Sequence, residues 1–290
     1  MATGLDQGEL KAHQWRNLVH TAVLLGGIGA ILAVAALLIF GTTGLVVTLI
    51  GAGVLVLATP RIPPQAVMRL YRAQYVAPER GGQLTAILAE LARRAGLART
   101  PSLHVIPSMT LNAFATGTPD HAAIAMTEGL LRRLTMREIA GVLAHEMSHI
   151  KNNDLAVMGI ADVMSKLTQM LYYVGLLLLL INLPGLLVGE VAVSWWAVIV
   201  LILAPAASSL LQLGLSRARE YDADLEAALL TADPVGLASA LRRLEQYTGR
   251  VWEDMLPPVP ARRVPAPSVL RTHPDTASRV ERLLALAAKP

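Results

Sequence analysis

Cysteine is absent from the sequence, and charged residues are scarce. Without cysteine, disulfide bonds and cysteine-ligated metal sites are excluded. Charged residues make up 16% of the 290 positions and apolar residues 54%, a balance typical of a chain that crosses a bilayer. The net charge of +4 does not indicate a nucleic-acid interface, because the arginines lie among acidic residues and are not interleaved with aromatic ones. The composition therefore favours a membrane protein.

Two long stretches have almost no charge. Residues 17–60 contain no charged side chain, and residues 167–213 contain only Glu190. A bilayer core about 30 Å thick needs roughly twenty apolar residues per helix, so each stretch is long enough for a hairpin of two spans. The glycine-containing segments 41–44 and 189–190 mark the breaks. The predicted spans are residues 18–40, 45–59, 167–188 and 191–213.

The basic residues predict how the chain crosses the membrane. Every lysine and arginine lies in residues 1–16, 61–166 or 217–290, and neither hairpin connection has one. By the positive-inside rule, both termini and the central segment face the cytoplasm. The alternative is a soluble protein with very apolar core helices, but charge-free runs of this length exceed what a soluble core contains. The predicted division is a cytoplasmic N-terminus (1–16), a transmembrane hairpin (17–60), the first part of a cytoplasmic domain (61–166), a second transmembrane hairpin (167–213) and the second part of that domain (214–290).

The central segment has the pattern of a mixed α and β domain. Leucine and isoleucine recur at helical spacing between Gln83 and Leu97. Thr135 and Glu138 have capping-box spacing, which predicts that a further helix begins there. Between these helices, a turn signal at 117–120 separates two of three short apolar runs typical of strands. The predicted strands are residues 103–106, 111–115 and 122–126.

The helix predicted after Thr135 carries a metal-binding motif. Residues 145–149 are His-Glu-Met-Ser-His, the pattern HExxH. On a helix, His145 and His149 stand four residues apart on one face, so both imidazoles can reach one ion. Glu146 is close enough to take a proton from a water molecule on that ion without binding the metal itself. The pattern is short and also arises by chance on ordinary helices, so a third ligand is needed to support the interpretation.

A candidate third ligand follows the last apolar stretch. Glu220 and Asp224 share a helix face at four-residue spacing, with Glu220 as the candidate ligand and Asp224 as an acceptor for a histidine N–H. Two crossings between His149 and Glu220 return the chain to the side it left, so the residues can meet. The alternative for residues 217–224 is a solvated helix beside the membrane.

Taken in order, these features resemble the HtpX-type membrane zinc metalloproteases, which are gluzincins related to the CAAX prenyl proteases. The likeness includes both apolar hairpins, the HExxH helix and three further segments, while residues 1–16 are longer and more polar than in the family. The resemblance implies a mainly α, multi-pass helical membrane protein of about four transmembrane helices with a cytoplasmic α+β zincin-like metalloprotease domain. The three further segments are 112–117, 217–224 and His273-Pro274.

The same resemblance implies a function and a site. The expected protein is a zinc endopeptidase of the bacterial inner membrane that faces the cytoplasm and cleaves damaged or misfolded membrane proteins. One Zn²⁺ per chain would be held by His145, His149 and Glu220, with Glu146 as the catalytic base. The expected partners are membrane-protein or unfolded polypeptide substrates and the lipid bilayer, and no nucleic acid.

Two more groups of residues take their roles from the resemblance. The segment Asn112, Ala113, Phe114 and Ala115 resembles the edge strand that binds an extended substrate, a role compatible with a plain sheet edge. His273 and Arg279 resemble a pair that stabilises the oxyanion, one by a hydrogen bond and the other by charge. By residue type alone, His273 would be a helix cap or surface histidine and Arg279 an exposed charge.

Three other functions compete with the peptidase. A membrane adaptor or scaffold with a structural zinc would have a closed coordination shell, whereas Glu146 beside two ligands favours hydrolysis. A prenyl-protein endoprotease would carry more spans around a large chamber than the four predicted here. A transporter would need polar residues within the spans, and these are nearly absent.

Overall fold

The computed structural model describes residues 7–58, 63–189, 193–255 and 276–288. Within these ranges the helices are α1 (Gln7–Ala58), α2 (Pro64–Leu70), α3 (Gly82–Ala95), α4 (Glu128–Arg133), α5 (Met136–Lys151), α6 (Asp154–Val188), α7 (Trp195–Thr231), α8 (Pro234–Met255) and α9 (Thr276–Ala287). The strands are β1 (Gln74–Tyr75), β2 (Ser102–Ile106), β3 (Ala113–Thr118) and β4 (His121–Thr127).

The chain divides into two compact units. The first, here called the sheet unit, has its described residues within 61–156 and 219–288. The second, the apolar-helix unit, has its described residues within 7–58 and 157–218. Each unit is therefore built from two separate stretches of chain.

The sheet unit contains a four-stranded sheet in the order β1-β2-β4-β3. Strands β2 and β4 are parallel, and β1 and β3 pair antiparallel with β2 and β4 respectively. Within the described residues β3 pairs only with β4, so it forms an edge of the sheet. The turn from β3 to β4 requires Gly117, whose φ is +100° and whose Cβ, if present, would lie 2.1 Å from the carbonyl oxygen of His121.

Strand β4 is buried on both faces because helices cover the sheet on both sides. Ile124 and Met126 point into the main core with α3, α5 and α8, while Ala123 and Ala125 pack against Met68 of α2. This alternation is the period-two pattern of a strand. The predicted strands 103–106 and 122–126 match β2 and β4 to within one residue, whereas 111–115 overlaps β3 at residues 113–115 only. The predicted helix 83–97 matches α3 to within two residues, and α3 is capped by Gly96 in the left-handed conformation.

Helix α5 begins where the capping box predicts. The Thr135 hydroxyl accepts from the Glu138 backbone N–H at 3.4 Å, and a Glu138 carboxylate oxygen accepts from the Thr135 backbone N–H at 2.8 Å. The other Glu138 oxygen accepts from Ser239 of α8 at 2.6 Å and lies 2.9 Å from Arg243. The first turn of α5 is thereby fixed against α8.

Among the described residues, three helices are long and apolar enough to span a bilayer, within Thr21–Gly51, Asp154–Gly185 and Trp195–Thr231. The first is interrupted at Gly41, whose φ of 65° and ψ of −156° are not helical. A Cβ on Gly44 would lie 2.9 Å from the carbonyl oxygen of Ala36, although eight residues of straight helix span about 12 Å. The chain therefore folds back at the predicted break, and the count of four crossings remains a prediction.

Helices α6 and α7 both extend past their predicted spans into the sheet unit. At their apolar ends, Gly189 has a φ of +78° and the Asn182 amide exchanges hydrogen bonds with the Val193 backbone at 2.7 and 3.1 Å. Ser165 and Ser208 form a hydrogen bond at 3.1 Å, a polar contact of a kind found between membrane helices.

Candidate metal centre

Helix α5 places the two motif histidines side by side. The Nε2 atoms of His145 and His149 lie 3.2 Å apart, as expected for positions one helical turn apart on the same face. His145 is buried and His149 half-buried. Helix α5 is packed between α3 and α8, so the backbone that carries both rings is fixed by the core.

Helix α7 brings Glu220 to the same point. A Glu220 carboxylate oxygen lies 3.4 Å from His145 Nε2, and the other lies 3.9 Å from His149 Nε2. One ligand atom from each of the three residues can be chosen so that all lie within 4.8 Å of one another. The three predicted ligands therefore form a possible metal site.

The donor set fits zinc. Two imidazole nitrogens and one carboxylate oxygen are ligands that zinc uses in catalytic sites, which keep a fourth position open. Bonds of 2.0–2.1 Å in a tetrahedron separate ligand atoms by about 3.3 Å, close to the 3.2 and 3.4 Å found here. The third distance, 3.9 Å from His149 Nε2 to Glu220, is longer, so two of the three spacings match a single tetrahedral ion.

Asp224 lies beside Nδ1 of His145, the ring nitrogen opposite the candidate metal-binding one, and Arg279 pairs with Asp224. Nδ1 of His145 lies 3.1 Å from a carboxylate oxygen of Asp224, not aligned for a well-directed hydrogen bond. The Arg279 guanidinium donates to both Asp224 oxygens at 2.7 and 2.6 Å and lies 2.9 Å from Glu220. Burial would lower the pKa of His145, but Asp224 and Glu220 outweigh it and raise the pKa to about 10. The site therefore stabilises a positive charge between its carboxylates.

A second aspartate serves His149, and the sequence analysis did not identify it. Nδ1 of His149 lies 2.8 Å from a carboxylate oxygen of Asp154, whose other oxygen lies 2.6 Å from Arg219. Asp154 is the first residue of α6, and Arg219 immediately precedes Glu220. The only sequence signal was an aspartate five residues beyond the second histidine, which is not a helical spacing.

Glu146 is half-buried beside the first histidine. The Glu146 carboxylate also affects the pKa of Arg279. Burial lowers that pKa, but the carboxylates of Asp224, Glu220 and Glu146 together raise it above its ordinary value. The predicted base is thus close enough to the cluster for its charge to stabilise the Arg279 guanidinium.

The remaining predicted site residues are placed as follows. Ala113, Phe114 and Ala115 lie in β3, which packs beside α5, and Asn112 directly precedes the strand. The Asn112 backbone N–H and carbonyl are both bonded to Thr127, at 3.1 and 3.0 Å. His273 lies outside the described residues.

Sequence comparison identifies the family. The profile of Peptidase family M48 matches residues 78–287, which include α5, α7 and α9. The chain belongs to peptidase family M48. This M48 member is 37% identical to "Protease HtpX homolog" of Acaryochloris marina, over 93% of the chain and 94% of the relative. It is 36% identical to the protein of that name from Desulforapulum autotrophicum, over 92% of the chain and 89% of the relative.

A solved structure supports the fold. "Crystal Structure of S. mikatae Ste24p" matches 95% of this M48 chain with a TM-score of 0.52 and 24% identity. The chain spans 66% of the length of that protein. Together, the family, the three span-like helices and the metal cluster make this protein a membrane metalloendopeptidase.

Proposed function

We propose that the protein is a zinc-dependent endopeptidase of the bacterial inner membrane that cleaves damaged or misfolded membrane proteins on the cytoplasmic side. The observation that carries the proposal is the convergence of His145, His149 and Glu220, with Glu146 next to His145 in the sequence. The zinc assignment is supported by the donor set, its spacing and the use of zinc by M48 peptidases. The membrane location is supported by the bacterial relatives and by apolar helices in the same chain. The substrate class is what the resemblance to the HtpX-type proteases implies.

The metal would supply Lewis acidity at the peptide carbonyl. In this mechanism, Glu146 takes a proton from the attacking water and returns it to the leaving nitrogen. The negative charge that develops on the carbonyl oxygen would be stabilised by the charge of Arg279 and by a hydrogen bond from His273. Three of the five Arg279 N–H groups face carboxylates, so Arg279 would act mainly through its charge.

The substrate would bind beside the cluster as an added strand. Strand β3 is an edge within the described residues, and its neighbour α5 carries the histidines. An extended peptide could pair with the backbone of Ala113–Ala115, which would place a peptide bond near the site without selecting a side-chain sequence. Such binding suits a peptidase that acts on unfolded polypeptides.

The first experiment compares metal content and cleavage in detergent-purified parent, Glu146→Gln and a control, Glu128→Gln. Glu128 pairs with Arg132 on α4, and its side chain is 40% exposed. We expect about one zinc per chain in all three proteins. Cleavage of casein and of an unfolded membrane protein should fall at least about 100-fold in Glu146→Gln only, because general acid–base catalysis contributes 10²- to 10⁴-fold.

The other outcomes separate the alternatives. Zinc without cleavage in any protein would favour a scaffold with structural zinc, and cleavage confined to prenylated peptides would favour a prenyl-protein endoprotease. Full activity in Glu146→Gln would contradict its role as the base. Glu220→Ala should lose the metal, and full zinc occupancy in that variant would place the third ligand elsewhere.

A further inference from the structure

The Asp154 carboxylate bridges two side chains next to the metal cluster. It accepts from Nδ1 of His149 at 2.8 Å and pairs with the Arg219 guanidinium at 2.6 Å. Asp154 is only 2% exposed, so both contacts are made away from solvent. A buried carboxylate is costly unless it is paired and hydrogen-bonded, and Arg219 with His149 meets both requirements.

This contact determines which nitrogen of His149 carries hydrogen. An ionised carboxylate can only accept, so the hydrogen of the neutral ring is at Nδ1 and the lone pair is at Nε2. Nε2 is the atom that faces His145 and Glu220. A neutral imidazole without such a partner exchanges between two tautomers, and the form with hydrogen at Nε2 cannot bind a metal through that atom.

A turn between α5 and α6 brings Asp154 to His149. Helix α5 ends at Lys151, and Asn153 has a φ of 55°, a left-handed conformation that asparagine tolerates. The side chain of Asn152 donates to Glu226 at 2.7 Å and to Ser148 at 3.2 Å, which ties the turn to α7 and to α5 itself. Asp154 then begins α6 with its carboxylate directed back at His149.

Arg219 connects the same carboxylate to the third candidate ligand. It adjoins Glu220 on α7, so Asp154 fixes α7 at the position next to the ligand while also orienting the second histidine. A similar set exists at His145, where Asp224 faces Nδ1 and is held by Arg279. Each histidine thus has its own aspartate and arginine.

We propose that Asp154, held by Arg219, is a positioning residue that fixes the tautomer and orientation of His149 for metal binding. The inference rests on the proposed zinc site. Partners of this kind typically contribute 10- to 100-fold to metal affinity.

The test measures zinc affinity in the full-length protein in detergent, by competition with a chromophoric chelator. The variants are Asp154→Ala and Asp154→Asn, with Asp162→Ala as the matched control. Asp162 is also on α6 but is 52% exposed and pairs with Lys166 at 2.7 Å. We expect the zinc Kd to rise 10- to 100-fold in Asp154→Ala and less in Asp154→Asn, whose amide oxygen can still accept from Nδ1. Asp162→Ala should match the parent.

Thermal unfolding of the metal-free proteins separates positioning from a purely structural role. A lower metal-free Tm in Asp154→Ala with a Kd within twofold of the parent would overturn the proposal. If Asp154→Ala does not fold, Asp154→Asn decides, and an unchanged Kd there would also overturn it. A parent that binds no zinc would instead refute the proposed zinc site, so the two failures are distinguishable.

Discussion

Glu138 joins the start of α5 to α8, and its carboxylate is almost fully buried. It accepts hydrogen bonds from Thr135 and Ser239 and forms an ion pair with Arg243. Burial raises the pKa of Glu138, but these partners outweigh it and hold the pKa below its ordinary value. Because α5 carries the candidate ligands, the charge on this residue affects the helix on which the site depends.

Glu138→Gln should destabilise the protein at neutral pH by about 1.5–3 kcal/mol, the usual contribution of hydrogen bonds to a charged group. A carboxylate with a lowered folded-state pKa stabilises the fold above its unfolded pKa of about 4.3, and this stability is lost as the pH falls through the folded value. The difference from the parent should therefore shrink below about pH 4. Thermal unfolding in detergent across pH measures it.

The control for this change is Glu90→Gln, at a glutamate whose side chain is 42% exposed and pairs with Arg93 and Arg94 on α3. It should leave the Tm at pH 7 within error of the parent value, because exposed pairs contribute little. An identical Tm for Glu138→Gln and the parent at pH 7 would show that the capping network is not needed.

The sequence predicted the three candidate ligands and missed one of the two aspartates beside the histidines. His145 and His149 follow from helical spacing. Glu220 follows from its place after the last apolar stretch, because two crossings between His149 and Glu220 return the chain to the same side. Asp154 reaches His149 through the positive φ of Asn153, a local conformation that no periodic pattern reveals. Arg279 was assigned through the resemblance, and the structure adds its pairing with Asp224.

At the scale of elements, α5 and α8 approach closely at a glycine. A Cβ on Gly141 would lie 2.9 Å from Cα and 3.0 Å from the backbone nitrogen of Leu237, which is fully buried. Backbone atoms cannot move aside as a flexible side chain can. The contact between these helices therefore depends on the absence of a side chain at this position.

Gly141→Ala should lower stability by about 1–3 kcal/mol through overpacking. Helix propensity alone would favour alanine by about 1 kcal/mol. The predicted loss of stability therefore requires that α5 and α8 cannot separate to relieve the clash. Gly159→Ala is the matched control, because nothing lies within 4 Å of a Cβ there. Thermal unfolding of both variants is the measurement, and a Gly141→Ala variant as stable as Gly159→Ala would contradict the close packing.

Element boundaries were predicted least well where the apolar pattern ends but the helix continues. The predicted spans 167–188 and 191–213 follow the apolar residues, whereas α6 begins at Asp154 and α7 continues to Thr231. Arginine, lysine and glutamate are good helix formers, so a helix can continue past an apolar stretch without a change in helix propensity. The two-residue strand β1 and the short helices α2 and α4 are too brief to show a period.

At the scale of the whole molecule, the number of crossings is the main question. In the part of the chain that the structure describes, three helices could span by length and composition, but the reversal at Gly41 divides α1 into residues 7–40 and 42–58. The second part, at 17 residues, is at the lower limit for a span. The predicted topology requires both parts to cross.

Cysteine labelling can test this, because the parent has no cysteine and gives no background. In intact cells, a membrane-impermeant maleimide should label Thr43→Cys and Ser194→Cys, and it should label Glu79→Cys only after permeabilisation. This result would place residues 43 and 194 outside and residue 79 inside. Protection of Thr43→Cys under both conditions would contradict the hairpin, and labelling of Glu79→Cys in intact cells would invert the orientation.

The two-part construction of the sheet unit also has a consequence for biosynthesis. Glu220 is translated 71 residues after His149, and the two apolar stretches of α6 and α7 are made in between. A nascent chain that stalls before α7 contains both histidines but not the third ligand. The synthesis order thus delays the complete cluster until both apolar stretches have been made, so a chain that stops before Glu220 does not contain a complete metal site.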